Sequence, residues 1–298
     1  MNSFFKKIQG TLLLLFLVFL CAYIVHDTNS PARYYITQYA DDTGSQAMFY
    51  TIESTKGGLI VIDGGWSGNA SQVRSVIKKK GNTVDAWILT HPHPDHIGAF
   101  NEIYANPQGI TIKDIYTIEM DYDKYKAKAQ EWDEFDVYET FLSLTKDAKN
   151  LHYVHTGDTL SLCGLDVLVL HAYEDWVDEV TTDLANDGSM MFKVTNNKQS
   201  MIFCADVGNR VSDKIEERWG DTLSCDYIQM GHHGNGGLLE SFYRITTPKL
   251  AFFDAPEWLM HPENNDNGWT TPQNFELMTS MGADSCYYAT APNRIELK

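Results

Sequence analysis

The chain has 298 residues, 43% of them hydrophobic and 21% charged, with 40 acidic against 23 basic side chains and a formal net charge of −17. That composition supports a buried core and excludes intrinsic disorder, low complexity and a solenoid repeat. The acidic balance leaves no basic stripe, so a long nucleic acid is a poor substrate or partner. The plainer consequence of the charge is solubility.

Lys6 and Lys7 precede an uncharged apolar run from Thr11 to Val25, which His26 and Asp27 close. A basic start before an apolar run reads as a signal sequence or a short membrane anchor over residues 1–30, leaving 31–298 as one domain outside the cytoplasm. The run is shorter than the ~20 residues that comfortably span a bilayer. Ser30-Pro31-Ala32 offers small residues for cleavage, and Leu20 before Cys21 argues against lipid attachment. Without Lys6, Lys7 and Asp27 the remainder carries 21 basic and 39 acidic side chains, a formal −18. Of the five cysteines, Cys163, Cys204, Cys225 and Cys286 lie beyond the segment and match no zinc-knuckle spacing. They read as small buried hydrophobes, with disulfides permitted but not implied.

In chain order, Arg33–Tyr39 and Gln46–Glu53 have the aromatic, alternating character of strands. Gly58–Ile62 is a compact apolar run leading into Asp63-Gly64-Gly65, and Gln72–Lys80 has helical periodicity. Val84–Leu89 reads as a buried strand, followed by a helix near Ala99–Ala105, a strand at Ile110–Ile118 and a long polar helical stretch between Tyr122 and Lys149. Strands follow at Leu151–Val154, Leu165–His171, Met190–Val194 and Met201–Ala205, with a helix at Arg210–Trp219 and a strand at Cys225–Met230. The helices Leu238–Ile245 and Pro272–Met281 alternate with strands Leu250–Asp254 and Cys286–Tyr288. Two blocks of consecutive strands, each ending in strand–helix alternation, predict two facing sheets with helices outside.

Thr90-His91-Pro92-His93-Pro94-Asp95-His96-Ile97-Gly98 places four candidate metal ligands within six residues. Imidazole nitrogen and carboxylate oxygen are the usual zinc ligands outside thiolate sites. Pro92 and Pro94 hold the backbone extended, so that His91 and His93 aim at one point. Asp95 and His96 then turn toward a second point as the helix begins. Such a run can feed two adjacent divalent ions, with zinc the first expectation and manganese or iron the alternatives.

His-x-His-x-Asp-His after a buried strand resembles the signature of the metallo-β-lactamase superfamily, over roughly residues 34–290. The resemblance implies the α/β class and an αββα sandwich, with metal ligands on loops at one edge of the sheets. Asp63 looks like the aspartate that braces the metal loop; as a plain reading it is a turn residue before two glycines. Asp206, in Phe203-Cys204-Ala205-Asp206, resembles the aspartate that bridges both metals, and His232-His233 the last ligand motif. One landmark is missing: where a further histidine is usual, the chain reads Ala185-Asn186-Asp187-Gly188-Ser189-Met190. His171 nearby reads as a packing or supporting residue. One metal would then have His91, His93 and Asp206 with solvent or an Asn186 or Asp187 oxygen. The other would have Asp95, His96, Asp206 and one of the paired histidines. The Asn186-Asp187-x-Ser189 pattern with Gly231-His232-His233-Gly234 looks like the branch of phosphorylcholine esterases and DNA-uptake hydrolases, which act on phosphodiesters. There His233 would bind metal and His232 would meet substrate or act as acid; the other reading of His232 is a support.

The resemblance implies a metal-activated hydroxide with Asp95 and Asp206 in the catalytic machinery. The substrate would be a small molecule or cell-envelope component, with a membrane partner only through an uncleaved N-terminal segment. Trp66, Tyr122, Tyr125, Trp132, Phe135, Tyr138, Trp258 and Trp269, among many acids, suit a cationic or zwitterionic headgroup or are ordinary packing. A carboxyl-ester, lactone or β-lactam hydrolase, a flavin-partnered di-iron protein and a binding protein with a decayed site remain the alternatives. Oligomeric state is not encoded in any motif.

Overall fold

The computed structural model describes residues 31–263 and 266–298. The expected signal or anchor segment, 1–30, lies outside the described residues, and Tyr34–Lys298 form one compact unit. No helix among the described residues is long and apolar enough to cross a membrane.

The first sheet is built from β1 (Tyr34–Gln38), β2 (Phe49–Ser54), β3 (Leu59–Asp63), β4 (Thr83–Leu89), β5 (Thr111–Thr117) and β6 (Leu151–Tyr153). The second is built from β7 (Thr159–Leu162), β8 (Leu165–His171), β9 (Met191–Thr195), β10 (Ser200–Phe203), β11 (Tyr227–Gln229), β12 (Leu250–Phe252) and β13 (Asp284–Cys286). The last strand, β14 (Asn293–Leu297), returns to the first sheet beside β1, giving the order 14-1-2-3-4-5-6 against 13-12-11-10-9-8-7. Each sheet is antiparallel in its early strands and parallel in its later ones. The central parallel strands β3 and β4 read as largely apolar runs because both of their faces are covered; all five residues of β3 and the last four of β4 are buried.

Buried aromatics join the sheets. Tyr50 on β2 meets Phe203 on β10 edge-on at 5.3 Å and Phe252 on β12 at 6.2 Å. The helix Pro94–Ala105 sets Phe100 against Trp87 of β4, ring centroids 5.2 Å apart. The helix Ala70–Lys79 buries Val73 and Ile77. This is the two-sheet, helix-flanked architecture that the strand pattern predicts.

Three local readings change. The stretch expected to be one long helix from Tyr122 to Lys149 is two helices, Tyr122–Lys128 and Phe135–Thr145, separated by a turn at Glu131–Asp133. Glu134 adopts a left-handed conformation (φ 42°), which no helix continues through. Tyr125 and Tyr138 close a small aromatic cluster with Phe135, at 5.0 and 5.9 Å, so most of this segment's aromatics are packing. The late strand is Asp284–Cys286 rather than Cys286–Tyr288, and Tyr288 begins a short 3-10 turn. The four cysteines are free, and two of them, Cys163 and Cys286, are only half-buried.

Two contacts fix the loops at the carboxyl ends of the strands. At Gly98 the helix approaches the Trp66-Ser67 turn so closely that a Cβ would stand 2.5 Å from the Ser67 nitrogen and 2.8 Å from the Trp66 carbonyl carbon. His171, at the end of β8 and buried, donates through Nε2 to the Asp187 carbonyl at 2.7 Å, tying the short helix Leu184–Asp187 to the second sheet. Burial, the largest influence, lowers its pKa to about 4.

Gly98→Ala is expected to cost about 1–3 kcal/mol by overpacking; an unchanged thermal midpoint would contradict the close approach. The unfolded chain binds the His171 proton near pH 6.5 and the folded chain only near 4, so this contribution is present above 6.5 and lost as pH falls through that window. The full difference is on the order of 3 kcal/mol. Denaturant titrations of the native chain and of His171→Gln should diverge between pH 6.5 and 4, and parallel pH profiles would refute the assignment.

Candidate metal centre

Parallel pairing aligns the carboxyl ends of neighbouring strands, and in open sheets such ends gather functional loops. β3 and β4 run side by side with Ile62 opposite Ile88, which brings Asp63 next to Thr90. β10, β11 and β12 pair likewise, with Phe203 opposite Gln229 and Gln229 opposite Phe252, which gathers the loops of Asp206, His232-His233 and Asp254.

Asp63 is fully buried and accepts from the Thr90 amide (2.8 Å), the Thr90 hydroxyl (2.7 Å) and His96 Nδ1 (2.7 Å). These bonds fix the His96 ring and point Nε2 to Asp206 Oδ1, 3.3 Å away. Pro94 opens the helix that carries Asp95 and His96, where its missing amide costs nothing. His233 Nε2 lies 3.1 Å from Asp95 Oδ2 and 3.3 Å from Asp206 Oδ2, and its Nδ1 faces the Asp254 carbonyl at 3.2 Å. His91 stands over His96 with ring centroids 4.0 Å apart. Asp206 therefore sits between His96 on one oxygen and His233 on the other.

Four of the ten non-glycine residues with left-handed backbone among the described residues belong to these loops: Asp63, Ala205, His232 and His233. Strain of this kind persists where surrounding structure over-determines it, commonly at functional sites. Buried, His91 has its pKa pushed well down, with the neighbouring imidazoles adding to the effect. Burial also opposes ionisation of His96, His233 and Asp206, yet their mutual attraction wins, raising both histidines and depressing the aspartate.

The fit to a metal rests on the donor atoms themselves. His91 Nε2, His96 Nε2, His233 Nε2 and Asp206 Oδ1 are buried and make no hydrogen bond. Two ligand groupings converge within 4.8 Å, His91–His96–Asp206 and Asp95–His96–His233, sharing His96. Unpartnered imidazole nitrogens and carboxylates facing one another are the donor set of divalent transition metals.

His93 departs from the expected grouping with His91. Its ring lies beside that of His91 (4.7 Å), but Nε2 meets Asp133 Oδ1 at 2.5 Å and groups with Asp133 and Asp183. The Asn186, Asp187 and Ser189 side chains, two of them offered as a metal oxygen by the sequence, hold loops together. Asp187 Oδ1 accepts from the Gly208 amide (3.1 Å), Ser189 donates to the Ala185 carbonyl (3.1 Å) and Asn186 Nδ2 donates to Asp183 (3.1 Å). His232 is the partly open member: its side chain is 32% exposed, with Nε2 3.9 Å from Asp206 Oδ2.

Asp133, Asp183 and Asp254 were not singled out from the sequence. Asp254 repeats the signal of Asp63, an acid closing an apolar strand run; its Oδ1 accepts from Gln38 (2.8 Å) and Tyr50 (2.7 Å), and burial raises its pKa to about 6. Asp133 and Asp183 lie in segments with no comparable pattern. A separate depression of about 730 Å³ over β7–β10, lined by Thr159, Asp166, Lys193 and Lys198, shares no residue with the cluster.

Residues 42–140 match the sequence model of the Metallo-beta-lactamase superfamily. A comparison with curated protein sequences gave no match. Among solved structures, the metallo-beta-lactamase fold protein YhfI from Bacillus subtilis superposes with a TM-score of 0.54 at 13% identity, over 89% of this chain and 100% of that one. CmlA, a diiron beta-hydroxylase from Streptomyces venezuelae, superposes with a TM-score of 0.53 at 13% identity, over 89% of this chain and 54% of that one. At such identities the likeness carries the fold, and none of these comparisons points to the phosphorylcholine-esterase and DNA-uptake branch. With the observed sheets and motif, they identify the chain as a metallo-beta-lactamase-fold protein that bears the superfamily's sequence pattern over residues 42–140.

Proposed function

We propose that the chain is a metal-dependent hydrolase acting outside the cytoplasm on a phosphodiester of a small or headgroup-type molecule. The observation that carries the hydrolase reading is the convergence of His91, His96, His233 and Asp206 as buried donors without hydrogen-bond partners. Asp95, His96 and His233 would hold one divalent ion and His91 and Asp206 the other. Such ions supply Lewis acidity and an activated water, and they stabilise charge on the attacked centre.

The chain's own residues do the positioning. Asp63 locks His96 by its Nδ1, and the Asp254 carbonyl does the same for His233, so that each presents Nε2 to the site. His232, held left-handed at the solvent side and close to Asp206, is placed to hydrogen-bond a substrate oxygen and to give a proton to the leaving group. The phosphodiester preference rests on the Asn186-Asp187-x-Ser189 and Gly231-His232-His233-Gly234 resemblance and on this exposed histidine. A net charge of −17 favours a zwitterionic or cationic headgroup over a polyanion. Trp258, 45% exposed, packs on Trp269 at 5.1 Å and donates to the Gly44 carbonyl, two residues before the Gln46 that reaches Asp95. That aromatic pair is a candidate surface for such a headgroup. Export rests on the Lys6–Val25 pattern.

Bis-p-nitrophenyl phosphate, p-nitrophenyl phosphorylcholine and nitrocefin separate the readings. Phosphodiester turnover is expected, with Asp95→Ala and Asp206→Ala losing both bound metal and activity. His232→Asn should keep the metal and lose about 10²-fold in kcat, the usual scale for a general acid. Nitrocefin cleavage without phosphodiester turnover would replace the phosphodiester reading by a lactamase-type one. A chain that takes up no metal after reconstitution would end the hydrolase reading.

A further inference from the structure

The cluster around His93 is unexplained by the donors above. His93 and Asp133 are 5% and 4% exposed, and Asp133 accepts from His93 Nε2 and from the Gln130 amide, each at 2.5 Å. Asp183 accepts from Asn186 through Oδ2, while its Oδ1 is buried and unpartnered. The Asn186 Oδ1 and the Tyr125 hydroxyl are also buried without a partner, and both residues are more than nine-tenths buried. Burial and the Asp133 and Asp183 carboxylates push the Tyr125 phenol up. Neither carboxylate has a lysine or arginine within 4 Å among the described residues. Two carboxylates, Asp133 buried and Asp183 half-buried with its Oδ1 enclosed, face one imidazole with more acceptors than donors, and such an excess of negative charge is costly without a cation.

Two folded devices hold this arrangement. The helix Phe135–Thr145, which follows the Glu131–Asp133 turn, is anchored by the packing of Phe141 on Phe100 (6.0 Å) and by Asn101 donating to the Val137 carbonyl (3.0 Å). Asp183 leads the Leu184–Asp187 helix that His171 ties to β8. Asp183 directly precedes the Ala185–Met190 stretch, which lacks the histidine usual in the family pattern.

We propose that His93, whose ring lies beside that of His91, completes with Asp133 and Asp183 the ion assigned above to His91 and Asp206, the carboxylates standing in for the absent histidine. This rests on the metal-site reading above. Two carboxylates and one imidazole form a harder donor set than three imidazoles, which narrows the advantage of zinc and suits manganese(II) or iron(II).

The test is metal binding by the full chain, stripped with chelator and reloaded with manganese(II) or zinc(II), read as equivalents bound and as affinity by calorimetry. The native chain is expected to bind two equivalents. Asp133→Asn/Asp183→Asn, nearly isosteric, should keep its circular dichroism and lose one equivalent or at least tenfold in manganese affinity at one site. His93→Gln should lose the same equivalent, and Asp183→Glu should retain it. Unchanged count and affinity in the double variant and in His93→Gln would overturn the proposal. Loss in those variants with full retention in Asp95→Ala and Asp206→Ala would uphold the His93 position and overturn the reading on which it rests. If the double variant does not fold, Asp183→Asn alone decides, by the same loss or its absence.

Discussion

One buried carboxylate sets the geometry of the centre. Asp63 closes β3 and uses both oxygens on its neighbour strand's exit, taking the Thr90 amide, the Thr90 hydroxyl and His96 Nδ1. A charge this deep is tolerable because all of its partners are donors. Through Thr90 it fixes where the His91–His96 loop begins, and through His96 it fixes where the loop turns into helix. The Met190 amide donates to the Thr90 carbonyl, so the same residue ties the first sheet's loop to the second sheet. The loops of both halves that carry the donor cluster thus hang from a single strand-end junction.

Around that junction the protein gathers charges that would not survive burial singly. Asp95 and Asp206 are held ionised by His96 and His233, against the opposing effect of burial. Left-handed backbone at Asp63, Ala205, His232 and His233 shows that the loops are shaped for the side chains they carry rather than for local comfort. The cost is borne by the two packed sheets, whose aromatic contacts at Tyr50, Phe203 and Phe252 lie between the strands that feed these loops.

Much of this was legible before any coordinates. The spacing of His91, His93, Asp95 and His96 behind an apolar strand carries both chemistry and fold, because a strand-to-helix corner brings His91, Asp95 and His96 into one cluster. Asp63, Asp206 and His233 follow as polar residues closing apolar strand runs. The other partners of the centre are held by long-range packing, which leaves no local pattern. Asp133 was hidden inside what reads as one polar helix from Tyr122 to Lys149; the break depends on Glu134 taking a left-handed conformation, which glutamate does not announce. Asp183 precedes a four-residue helix too short for periodicity to show. The edge strands β7 and β14 leave no clear sequence signal because they are short and half-exposed, without the apolar run of a central strand. His93 shows the limit of motif reading most clearly: the motif marks its position, but its ring faces residues 40 and 90 positions away.

The central claim is that two divalent ions occupy the space between the two sheets' loops. Crystals of the metal-loaded chain, measured at the absorption edge of the loaded ion, test it most directly. The account predicts two anomalous peaks about 3.5–4 Å apart, flanked by His91, His96, His233, Asp95 and Asp206. Anomalous density absent from this cluster, or confined to surface sites, would contradict it.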